Sequence, residues 1–162
     1  MWKINEQVYY KKKKKKLLYS VSGTHNISDV GTDAYLAVGK LKNTNRYKEA
    51  VDVLDKAKAK YNPSKTIGAG HSLGGGVIGY LPLDKKVTLD KGASPFQPIA
   101  KNEKAYRTSG DVVSLMNSGS HNMTTLTNPN KQFRTGNPLV DFAVNALGSH
   151  AVENTKTLPI FV

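Results

Sequence analysis

The period of apolar and polar positions changes several times along the chain, and each change marks an element. Val8-Tyr9-Tyr10 and Leu17-Leu18-Tyr19-Ser20-Val21-Ser22 are rich in strand-forming residues and read as two strands. The lysine run Lys11 to Lys16 between them suits the turn of a hairpin. From Asp29 the period lengthens. Val30, Ala34, Ala37, Val38 and Leu41 share one helical face, with Ser28 as N-cap and Asp29 in the first turn. Residues 42–45 form a polar connection. A second helix then carries Tyr47, Ala50, Val51, Leu54, Ala57 and Tyr61 on one side, with Lys48, Asp52, Lys56 and Lys60 on the other, and Asn62-Pro63 stops it. Lys65 to Ala69 reads as a short buried strand, and Leu73 to Leu81 as an apolar helix closed by Pro82.

Beyond Pro82, residues 86–93 read as the next strand and 105–108 as another, with a loop at 94–98. Residues 112–116 are short and apolar. The stretch 117–136 is rich in Ser, Asn, Thr and Gly and reads as loop, with room for an edge hairpin. Asn137-Pro138 opens a last helix with the stripe Leu139, Phe142, Ala143, Ala146 and Leu147; Gly148 ends it and Ser149-His150 follows. The alternation predicts a single α/β domain over residues 1–162, with a mostly parallel central sheet flanked by helices. Such a sheet gathers its functional loops at the carboxyl ends of its strands. Thr24, Ser72, Ser94 and Asp111 all follow predicted strands, so they are expected on one rim.

Composition narrows the function classes. A chain of 162 residues, 38% hydrophobic and 22% charged, can bury one sizeable core. No segment approaches the roughly 20 apolar residues that span a bilayer. Met1 to Glu6 lead into no apolar signal region, so an intracellular origin, or a particle assembled inside a cell, is expected. With no cysteine, disulfide and thiolate chemistry are excluded. The formal charge of +12 is high for this length, and Lys11 to Lys16 supply part of it. The plain reading of that run is a solvated turn. Its functional reading is attraction to phosphate, either on nucleic acid or, as peripheral contact, on an anionic membrane. No aromatic residues interleave at base-stacking spacing and no nucleic-acid module is present, which argues against nucleic acid. Nothing in the pattern fixes an oligomeric state.

The candidate chemistry sits between the 65–69 strand and the 73–81 helix. Gly70, Ser72 and Gly74 meet the G-x-S-x-G spacing, which sets a serine on a sharp strand-to-helix turn. A serine there is in a strained backbone conformation, and a side chain two residues to either side would clash with the turn. Ser72 then needs a base, because its hydroxyl is a poor nucleophile at neutral pH. Of the four histidines, His71 adjoins the serine and its side chain points away, His25 follows a strand end, and His121 lies in a polar loop. His150 comes after every acid candidate, so Ser72, Asp111 and His150 stand in the order nucleophile, acid, histidine. Asp111 is preferred to Asp90, which the pattern places inside a strand, and to Asp141 on a polar helix face. Two oxyanion donors are expected: the Leu73 N–H and a group from Gly23-Thr24, where glycine allows close approach and Thr24 offers N–H and hydroxyl. No metal or cofactor is required.

These residues resemble the class 3 lipase family, the α/β-hydrolases related to fungal triacylglycerol lipases. Gly70-His71-Ser72-Leu73-Gly74-Gly75 matches that family's elbow in full. Ser22-Gly23-Thr24 is similar to its oxyanion loop, with Ser22 in place of arginine. Asp29-Val30-Gly31-Thr32-Asp33 is similar to its D-W-x-x-D segment, with Val30 in place of tryptophan. Residues 91–95 resemble the strand ending in G-S/A-P, 106–113 the segment bearing the acid, and Ser149-His150 the C-terminal histidine motif. The resemblance covers roughly residues 17–155. It implies Ser72, Asp111 and His150 as a triad with Thr24 and Leu73 as oxyanion donors, acting on an ester or lipid. The chain is shorter than secreted members, lacks an apolar lid after Thr24 and lacks their cysteines, so an esterase or phospholipase-like activity is expected as readily as triglyceride hydrolysis. The rival expectation is a non-catalytic module that kept the fold within a larger assembly.

Overall fold

A computed structural model describes residues 6–23, 39–92, 97–109, 111 and 122–126. Its six strands form one sheet: β1 (Glu6–Lys11), β2 (Lys16–Val21), β3 (Lys65–His71), β4 (Lys85–Leu89), β5 (Glu103–Thr108) and β6 (Met123–Leu126). They lie side by side in chain order. β1 pairs antiparallel with β2, and every later pairing is parallel. The α/β class expected from the pattern is therefore observed.

The lysine run turns the hairpin as expected. Lys12–Lys14 form a 3-10 turn and Lys15 adopts the left-handed conformation, with φ 45° and ψ 40°. Helix α1 (Asn45–Tyr61) begins where residues 42–45 were expected to be connection. Thr44 caps it, its hydroxyl accepting from the Tyr47 N–H at 3.3 Å. Leu41 lies in a 3-10 turn, Leu41–Asn43, rather than on a helix, and it is buried. The remainder of the helix expected from Asp29, and the helix expected from Asn137, lie outside the described residues.

Helix α2 (Leu73–Tyr80) follows β3 after one residue. The core lies between the sheet and the two helices. Leu17, Tyr19 and Val21 of β2 pack with Ala50, Leu54 and Ala57 of α1 and with Val77 and Ile78 of α2. Each fully buried leucine or valine there contributes about 1.5–3 kcal/mol. Gly68 of β3 admits α2 against the sheet, since a Cβ there would sit 2.8 Å from Ile78 Cγ2.

Two expectations are corrected. The strand expected over 86–93 ends at Leu89, because Asp90 turns to φ 45° and breaks the extended run. Aspartate tolerates that conformation, and the Asp90 carboxylate uses it to accept from the Thr108 N–H (2.6 Å) and hydroxyl (2.9 Å). Within the stretch 117–136, expected as loop, Met123–Leu126 form β6, a strand that adds parallel to β5; residues 117–121 and 127–136 lie outside the described residues.

At the amino end of the sheet, Asp84 holds the α2–β4 connection to β3. Its carboxylate accepts from the Thr66 N–H (2.6 Å) and hydroxyl (2.8 Å), which lowers its pKa below the usual carboxylate range. A lowered folded-state pKa means stability that is present above the unfolded value of about 3.9 and lost as pH falls through the folded one. Asp84→Asn is expected to flatten the acid limb of the stability–pH curve without changing its neutral plateau by more than the lost bonds, as read by urea unfolding between pH 2 and 7.

Candidate active site

Ser72 is set by backbone geometry. β3 ends at His71 and α2 starts at Leu73, so one residue must turn the chain from strand to helix. That residue is Ser72, at φ 54° and ψ −125°. A non-glycine residue in such a region costs about 1–3 kcal/mol and persists only where its surroundings over-determine it. Three hydrogen bonds do so: Ser72 N–H donates to the Leu89 carbonyl at 3.0 Å, and the Ser72 carbonyl accepts from Gly76 N–H (3.2 Å) and Gly92 N–H (3.3 Å).

The flanking glycines are steric requirements. A Cβ at Gly70 would meet the Gly74 carbonyl carbon at 2.7 Å, and one at Gly74 would meet the Ser22 carbonyl at 2.6 Å. Strand, serine turn and the end of β2 are thus in backbone contact. Gly23 completes the group, since a Cβ there would lie 3.0 Å from Ser72 Cβ and 3.4 Å from His71 Nδ1. The segment expected to supply the second oxyanion donor therefore runs beside the serine up to Gly23. Thr24 itself lies outside the described residues, as do His25, His121 and His150.

Leu73 is the first residue of α2, and the first N–H groups of a helix have no intrahelical acceptor. Its N–H is therefore not used within the helix. Ser72 is buried, at 2% exposure. Asp111 is fully buried just past β5, its N–H donating to the Thr108 carbonyl at 3.1 Å and its carbonyl accepting from Arg107 Nη2 at 2.8 Å. Ser72 and Asp111 lie beyond the carboxyl ends of β3 and β5, with β4 between. At ordinary strand spacing that separates them by about 10 Å across the sheet.

Several supports were not legible from sequence motifs. Arg46, in the first turn of α1, donates from Nη2 to the Ser22 carbonyl and so ties the helix to the residue before Gly23. Burial lowers its pKa, and the neighbouring Glu6 carboxylate opposes that shift. Burial and the same carboxylate push the Tyr19 phenol above its ordinary range. On the other side of the serine, Lys91 reaches both oxygens of Glu103 at 3.1 and 3.2 Å, with both side chains fully buried. Burial lowers the Lys91 pKa and Glu103 works against it. Among the described residues, no group of three or more histidine, aspartate or glutamate side chains could hold a metal ion, and no helix is long and apolar enough to cross a membrane.

The fold is similar to that of Lip2 lipase from Yarrowia lipolytica. The two align with a TM-score of 0.57 at 18% identity, over 90% of this chain and 73% of the lipase chain. No protein-family profile and no curated protein matches the sequence. The likeness is therefore one of fold, and the chemistry has to be argued from this chain's own residues.

Proposed function

We propose that the protein is a serine-dependent carboxylic ester hydrolase of lipase-like α/β-hydrolase fold. The observation that carries this reading is the backbone of Ser72, held at positive φ between β3 and α2 with Gly23 against its Cβ. A structural turn has no need of strain at a serine when glycines stand two residues to either side.

In this reading Ser72 is the nucleophile, His150 its base and Asp111 the acid that orients the imidazole and stabilises its charged form. The strand spacing between Ser72 and Asp111 leaves room for a ring between them. Ser72 Oγ attacks the ester carbonyl while His150 takes its proton, and the oxyanion is held by the Leu73 N–H and by Thr24. His150 then protonates the leaving alcohol. Water repeats the sequence on the acyl-enzyme and frees the acid. A fluorophosphonate probe tests the nucleophile directly. Mass-spectrometric mapping is expected to find the adduct on Ser72 of folded protein and not on denatured protein. An unlabelled Ser72 in folded protein would instead favour a module that keeps the fold without the chemistry.

A further inference from the structure

The lysine run is built into the fold at the end of the sheet opposite Ser72. The Lys15 carbonyl accepts from the Ser64 N–H (2.8 Å), the Ser64 hydroxyl (3.2 Å) and the Lys65 N–H (3.3 Å). Tyr10, next to the run, stacks on Tyr61 at the end of α1 with ring centroids 4.8 Å apart. Lys15 keeps a left-handed conformation that glycine or asparagine adopts at less cost. Lys11 to Lys16 are all exposed, and exposed Lys60, Lys85 and Lys101 join them on the rim formed by the amino ends of β2 to β5. The acids near this rim are already committed: Asp84 to Thr66, and buried Glu103 to Lys91 and Thr88. The result is a fixed rim of net positive charge, offset only in part by the exposed Asp84 carboxylate.

We propose that this rim is a docking surface for the phosphate backbone of nucleic acid. The missing aromatics and the missing module argue against a protein that reads or stacks on bases; backbone binding needs only closely placed cations, because phosphates carry the affinity and bases go unread. A bilayer fits the rim less well. The run itself holds no apolar side chain, and the exposed Tyr9 and Leu18 beside it are one cross-strand pair rather than an apolar face to enter the interface. β3 is seven residues long, so a membrane at this rim would lie about 20 Å or more from the serine, on the wrong side of the sheet for an ester in that membrane to reach it. Only that last argument leans on the hydrolase reading.

The test is binding of the full chain to a fluorescent 30-base-pair DNA and, in parallel, to vesicles containing phosphatidylserine, over about 50–200 mM NaCl. DNA binding is expected to fall steeply with salt. The triple variant Lys12→Gln, Lys13→Gln, Lys14→Gln is expected to weaken it at least tenfold and to reduce the log–log salt slope by about 2–3. The variant Lys40→Gln, Lys48→Gln, at the other end of α1, is expected to have a much smaller effect. These lysines are exposed, and circular dichroism verifies folding. The proposal is overturned by absence of DNA binding at low salt, by equal effects of the two variants, or by tighter capture on the vesicles than on DNA. Fluorophosphonate labelling of Ser72 is expected to be unchanged in the triple variant, so the two readings fail separately.

Discussion

Ser72→Ala is expected to remove ester hydrolysis while leaving the fold in place. Alanine deletes only Oγ, so the three backbone bonds that pin residue 72 are retained. The strain at φ 54° remains for alanine as for serine, and the stability change should stay within about 1 kcal/mol. Loss of a nucleophile that acts as a unit with its base costs on the order of 10^4 to 10^6 in kcat, the remainder coming from the oxyanion donors and binding. The measurement is kcat for p-nitrophenyl esters of increasing chain length, beside a thermal melt. Turnover within tenfold of the parent in folded variant would refute Ser72 as nucleophile. The chain-length series has a second use: it reads out which acyl chains the site accepts.

The part of this site that was legible in the sequence is the part made by neighbours in the chain. Gly70, Ser72 and Gly74 announce the turn by their spacing; the clash Gly70 avoids is local, with Gly74 and Gly75, whereas the one Gly74 avoids is with the distant backbone of Val21 and Ser22. The hairpin was equally legible, since β-rich segments flank a polar run. What was not legible depends on contacts across the sheet. The β4 strand was extended to residue 93 because Lys91-Gly92-Ala93 continues the pattern, whereas Thr108, 18 residues on, draws Asp90 out of line. Arg46 has no motif; its role exists only because α1 returns its first turn to the Ser22 carbonyl. Short β6 was hidden in generic loop composition, since parallel addition to β5 demands backbone pairing and little else. Asp111 follows β5 as its place after a predicted strand implied, its burial is visible only in the structure, and its pairing with His150 lies outside the described residues.

The second large effect is expected from Glu103→Gln, at the pair that braces the exit from β4. Lys91 lies between Asp90, bound to Thr108, and Gly92, which donates to the Ser72 carbonyl. Its side chain crosses the small-residue face of α2: a Cβ at Gly79 would sit 2.7 Å from Lys91 Nζ, and one at Gly75 would sit 3.2 Å from Lys91 Cα. The charge at its tip has Glu103 as counter-ion, and Glu103 also accepts from the Thr88 hydroxyl at 2.7 Å and the Ala100 N–H at 3.3 Å. Neutralising Glu103 alone leaves an ammonium buried without a compensating charge, which typically costs about 3–5 kcal/mol. The double variant Lys91→Met, Glu103→Gln removes both charges, keeps an acceptor for Thr88 and is expected to recover most of that loss. Urea unfolding of the two singles and the double gives the coupling energy. A coupling below about 0.5 kcal/mol would show that the pair does not hold this corner. Because Gly92 is tied to Ser72, fluorophosphonate labelling of folded Glu103→Gln protein is expected to slow and to recover in the double variant, linking the brace beneath α2 to the reactivity of the serine above it.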